Sequence, residues 1–103
     1  MFLFGKKKET LILSARQVAA EFFSHVPPEV AEKYRAGNNK AKKSFASGLD
    51  NAVMRVAQVK AELRLGIYGK AKLHHVFAAR LKELGYAADI AEEINSYILI
   101  KTP

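Results

Sequence analysis

Residues 44–65 constrain the fold most. Phe45, Leu49, Ala52, Val56, Val59 and Leu63 recur at steps of four and three. That spacing gathers side chains on one side of an α-helix, close to a heptad seam. Ser47, Asp50, Asn51, Arg55, Gln58 and Glu62 fall on the other side and suit water. The rest of the chain must therefore cover one long apolar stripe. Ser44, Gly48 and Ala52 form a narrow ridge beside it. Glycine inside a helix costs about 1 kcal/mol relative to alanine. Close approach of another helix backbone over Gly48 explains that cost; a late or bent helix start is the alternative.

Other segments show the same periodicity. Ser14 with Gln17 reads as a capping box opening a helix over residues 14–25, whose inner side carries Val18, Phe22 and Val26. Residues 10–13 fit either a short strand or the start of a helix. Pro27-Pro28 ends that helix, and Pro28 opens a short one over residues 29–36 with Val30, Ala31 and Tyr34 inside. Gly37 is its left-handed terminator, and Asn38 and Asn39 are turn and cap residues. Gly66 is expected to cap the long helix, with Ile67, Tyr68 and Gly69 as a tight turn. A fourth helix over residues 70–84 carries Leu73, Val76, Phe77, Leu81 and Leu84, and Gly85 stops it. The short connection predicts that these two helices are antiparallel neighbours. Asp89 caps a fifth helix with Ile90, Ile94, Tyr97 and Ile98 inside. Residues 97–100 are β-prone, and pairing with residues 10–13 as two strands is the alternative. The predicted fold is all-α: a compact bundle of four to five helices built on a long antiparallel helical hairpin. Residues 1–9 read as a flexible basic arm and residues 10–103 as a single helical domain.

The chain has 103 residues, half of them hydrophobic, enough for one core. It has no cysteine, which excludes disulfides, thiolate zinc sites and thiol catalysis. No apolar run approaches the roughly 20 residues that span a bilayer. In Met1-Phe2-Leu3-Phe4-Gly5-Lys6-Lys7-Lys8 the charges follow a short apolar part, the reverse of a signal peptide. A soluble, cytoplasmic protein is expected. So few apolar residues anchor weakly on a membrane. Phe2 or Phe4 is expected to tuck onto the core, with no stable membrane anchor.

His74 and His75 point about 100° apart on a helix and cannot easily share a metal, and His25 stands alone. No metal or cofactor is expected. There is no glycine-rich phosphate loop, no dinucleotide fingerprint and no specific acid–base constellation, so an enzyme is not expected.

Charge is the informative feature. The net charge is +7, and residues 33–82 carry twelve basic side chains against Asp50 and Glu62 alone. Lys33, Arg35, Asn38, Asn39, Lys40, Lys42 and Lys43 surround the start of the long helix. Lysines there oppose the helix dipole, at about 0.3–1 kcal/mol each when exposed. Outward-pointing amides and lysines together suit an anion, and local costs of this kind often mark function. Phosphates of nucleic acid fit, through salt-sensitive, sequence-independent contacts. Lys70, Lys72, Arg80 and Lys82 extend the track if they share its side, and Lys60 and Arg64 are expected near the other end of the hairpin. A helix-turn-helix across residues 84–86 is rejected, because its reading helix would carry Asp89, Glu92 and Glu93. Arg80 lies among apolar positions; it either snorkels to water, pairs with Glu92 or Glu93, or sits on a side that awaits a partner. The expected function is a small non-enzymatic protein contacting nucleic acid. The alternative is a protein-interaction or regulatory subunit, in one form a homodimer, using exposed apolar residues of the last helix or the N-terminal arm.

Overall fold

The computed structural model describes the backbone from Phe2 to Pro103 and side chains from Lys7 onward. Five helices make up the fold: α1 (Phe2–His25), α2 (Pro28–Arg35), α3 (Asn39–Glu62), α4 (Ile67–Glu83) and α5 (Ala88–Lys101). There is no strand among the described residues. The all-α class is as expected, and residues 10–13 and 97–100 are helical rather than strands.

The packing order differs from the expected hairpin. α1 runs antiparallel to α3. Phe22 meets Phe45 with ring centroids 6.0 Å apart, Arg55 Nε donates to Glu21 Oε1 at 3.1 Å, and Lys7 Nζ reaches the Arg64 carbonyl at 3.4 Å. α1 also packs along α4, with Phe23 against Tyr86 just beyond the α4 C-terminus. α5 returns antiparallel along α4, joined by Lys82 to Glu92 at 3.3 Å and His74 to Asn95 at 2.9 Å. Its C-terminal end meets α3 at Lys60 and Thr102. Contacts thus close a ring in the order α1, α3, α5, α4, with α2 laid on α3. α3 and α4 are antiparallel, as expected, but they face each other across the ring with α1 and α5 between them.

The cause is the width of the apolar stripe on α1. Leu11, Ala15, Val18, Ala19, Phe22 and Val26 are all buried. Positions 15, 18, 19 and 22 span more than a single seam, so one helix serves two neighbours. The same spacing carries α1 back through Ser14, which is therefore not a cap. The backbone of residues 2–9, within the segment read from sequence as a basic arm, is continuous with this helix. The side chains of Phe2, Leu3 and Phe4, expected to tuck onto the core, lie outside the described residues. The core is filled by Phe22, Phe77, Leu73, Leu81, Ile94 and Ile98, each contributing about 1.5–3 kcal/mol on burial.

Three helices end alike. In α2, α3 and α4 the last turn closes with paired backbone bonds, such as Asn38 N to Lys33 O at 3.0 Å, Leu65 N to Lys60 O at 3.1 Å and Tyr86 N to Leu81 O at 3.2 Å. That geometry needs a left-handed residue. Gly37 (φ 93) and Gly85 (φ 107) supply it as expected, but after α3 it is Arg64 (φ 49), not Gly66. Gly66 instead begins α4, and Ile67, Tyr68 and Gly69 form its first turn rather than a loop. Asp89 likewise lies inside the first turn of α5, behind the cap Ala87.

Gly48 is a point of close approach, but to side chains rather than to a helix backbone. A Cβ there would stand 2.5 Å from Val26 Cγ2 and 3.3 Å from Phe22 Cε1. No helix among the described residues is long and apolar enough to cross a membrane.

Candidate nucleic-acid interface

The expected site lies at the end of the bundle formed by the α1 C-terminus, α2 and the start of α3. Asn38 has extended backbone, and its Oδ1 accepts from Ala41 N at 2.8 Å, so its side chain is spent on capping α3. Asn39 opens the helix and is exposed. Lys40, Lys42 and Lys43 occupy its first turns and are all exposed. Ala41 is buried between them. Lys40 and Lys43, three apart, lie on one side of it and Lys42 on the other. Beneath them Tyr34 of α2 stacks on Phe45 of α3 at 4.0 Å, with rings 2° from parallel. That stack fixes α2 against α3 and brings Lys33 to the same end.

Arg35 is placed differently. Its guanidinium pairs with Asp89 at the start of α5 and lies 3.9 Å from Glu32. The hydrogen bond to Asp89 raises the Arg35 pKa, and Arg35 in turn holds the Asp89 carboxyl below the usual carboxylate range. Both groups are exposed, so the pair ties α2 to α5 with little net stabilisation. Lys33, Lys40, Lys42 and Lys43 form no ion pair among the described residues.

The track does not continue along the bundle. α3 has 24 residues and spans about 36 Å, and Lys70 and Lys72 stand beyond its far end. Arg80 Nη1 donates to Glu83 on its own helix at 3.0 Å, not to Glu92 or Glu93. It is Lys82 that takes Glu92. Lys60 is buried, and its ammonium donates to the Thr102 carbonyl and to Thr102 Oγ1 at 2.8 Å. Burial, and then the charge of Lys70, lower its pKa. Lys60 is therefore a tie for the C-terminus rather than a surface cation.

Two polar groups inside the fold escaped the sequence reading. His74 is buried, and its Nδ1 donates to Asn95 Oδ1 at 2.9 Å, leaving Nε2 buried without a partner. Burial is the main cause of its lowered pKa; Asn95 opposes the shift and Lys60 adds to it. Tyr86 is also buried, and its hydroxyl donates to the Val26 carbonyl at the end of α1. Burial raises the phenol pKa. No spacing rule pairs position 26 with 86; the one cue is a tyrosine directly after a helix-stopping glycine.

A second cationic cluster at the opposite end was also missed as a unit. Lys7 and Lys8 of α1 come beside Lys72 of α4 around an open cleft. Comparisons with protein-family models, with curated proteins and with solved structures return no match.

Proposed function

We propose that this protein is a small non-enzymatic module that contacts the phosphate backbone of nucleic acid through Lys33, Lys40, Lys42 and Lys43. One observation carries the reading. These four cations are exposed and form no ion pair among the described residues, while Arg35 beside them takes up Asp89 and Glu32. Lysines that oppose the dipole of α3 gain from a phosphate that sits against both. Asn38 holds the helix start in place, and Arg35 holds α2 to α5; neither is assigned a phosphate contact.

The test is a fluorescence-anisotropy titration of labelled DNA and RNA, single- and double-stranded, against rising salt. Each lost phosphate contact lowers the log–log salt slope by about 0.9 on duplex DNA. Changing Lys40, Lys42 and Lys43 together to Ala is expected to weaken binding uniformly across sequences and to flatten the slope by up to about 3. Absence of binding at near-physiological salt, or an unchanged slope in the variant, would contradict the reading.

A second reading has its own support. Tyr97, Leu99 and Ile100 on α5 are exposed apolar residues, the kind of surface a protein partner or a second copy covers. A sedimentation mass that rises with concentration and ignores salt would favour it.

A further inference from the structure

At the end of the bundle opposite Lys40, α1, the 63–66 turn and the start of α4 surround an open cleft of about 510 Å³. Leu11 and Leu65, both buried, contribute its apolar lining. Ile67 and Tyr68 are 86% and 91% exposed, and Lys7, Lys8 and Lys72 also line it. No carboxylate is among the described residues lining it. A lone exposed apolar residue is ordinary. Two neighbouring ones beside an apolar cleft, with only cations for charged company, select a partner that is both apolar and anionic.

Arg64 adds to this. It holds φ 49 at a position where α2 and α4 each use glycine. The left-handed conformation disfavours any side chain, so a stable turn would also use glycine here. The chain keeps a cation there, and strain of this kind gathers at working surfaces.

We propose that this end docks reversibly on an anionic lipid surface. Ile67 and Tyr68 enter the headgroup boundary, and Lys7, Lys8, Arg64 and Lys72 meet the lipid anions. Tyrosine suits that boundary because its ring is apolar and its hydroxyl stays wet. Charge complementarity selects the occupant. Nucleic acid would satisfy the cations but leave Ile67, Leu11 and Leu65 unused, and a stacking platform needs more than one aromatic ring. A partner helix needs a groove several turns long, whereas this cleft is confined to the tip of the bundle. The proposal uses none of the residues of the phosphate-binding reading and stands or falls apart from it.

The experiment is co-sedimentation of the full chain with vesicles of phosphatidylcholine, with and without phosphatidylserine. Three variants accompany it: Ile67→Ser with Tyr68→Ser, the triple change of Lys7, Lys8 and Lys72 to Ala, and the charge-matched triple change of Lys40, Lys42 and Lys43 to Ala. All the altered residues are exposed, and circular dichroism checks that each variant is folded. Binding is expected only with phosphatidylserine. The double serine variant is expected to lose at least about tenfold, and the cleft-end triple to lose several-fold more than its charge-matched counterpart. No binding, equal loss in the two triples, or full binding by the double serine variant would overturn the proposal.

Discussion

The two ends of the bundle both carry lysines, yet they are built differently. At the α2 end a run of rings, Tyr34 on Phe45, Phe45 on Phe22 and Phe22 on Tyr86, locks four elements together. Glycines terminate α2 and α4 there, and acids interleave with the cations. At the α4-start end the terminator is Arg64, the surface opens into a cleft, and Ile67 and Tyr68 stand clear of the core. The difference teaches that net charge says little about a partner until its apolar surroundings are known. Phosphate contacts alone are screened by salt. Cations near an anionic leaflet add about 1 kcal/mol each, and a buried isoleucine beside them adds about 1.5–3 kcal/mol that salt does not screen.

The largest expected effect falls on the α2 end. Tyr86→Phe keeps the ring but removes the donor to the Val26 carbonyl. An orphaned buried acceptor costs about 1–3 kcal/mol, which urea unfolding would read as a lower midpoint with an unchanged m-value. A loss below a few tenths would mean that this end is not locked as described.

Arg64→Gly should act in the opposite direction. Relief of the left-handed backbone is expected to stabilise the fold by about 1–2 kcal/mol, while vesicle binding falls. Gain of stability with loss of binding separates a strained working residue from an incidental one. If both stay unchanged, the contrast between the helix terminators carries no function.

Asn38→Ala is expected to cost about 1 kcal/mol through the lost cap. Nucleic-acid affinity of the folded variant should match the wild type, because the Asn38 side chain serves Ala41 N. A large loss of affinity would return Asn38 to the interface.

The smallest expected effect is a pH dependence. His74 is held neutral by burial, with its pKa below the ordinary 6.5. The unfolded chain then binds the proton more readily, so this stability is full above about pH 6.5 and is lost as pH falls toward the folded-state pKa. Melting temperature should drop on acidification to pH 5.5, and the drop should shrink in His74→Gln. An equal drop in both proteins would place the titration elsewhere.

Much of the fold could be read in advance because burial leaves a period. The seam of α3, the inner face of α4, the buried Ile90, Ile94 and Ile98 of α5, and the roles of Pro28, Gly37 and Gly85 follow from spacing and backbone geometry, whereas Tyr97, expected inside α5, is exposed. Ser14 and Gln17 misled because a capping box looks the same inside a longer helix, where Leu11 continues the buried stripe. Gly66 misled because glycine suits either side of a short turn, and the left-handed residue proved to be Arg64. A short connection gave the direction of α4 relative to α3 but not its place in the ring, since the width of α1 decides that. Lys33, Lys40, Lys42 and Lys43 were readable as exposed cations. The Arg35–Asp89 pair, the burial of Lys60 and the meeting of Lys7 and Lys8 with Lys72 depend on contacts between distant segments.

The most direct test of two distinct ends is one anisotropy titration at near-physiological salt, run on the wild type and on the two charge-matched lysine triples. The account expects nucleic-acid affinity to fall when Lys40, Lys42 and Lys43 become Ala and to stay nearly unchanged when Lys7, Lys8 and Lys72 do. Equal losses would mean that charge alone binds, wherever it lies, and would contradict the assignment of the interface to the α2 end.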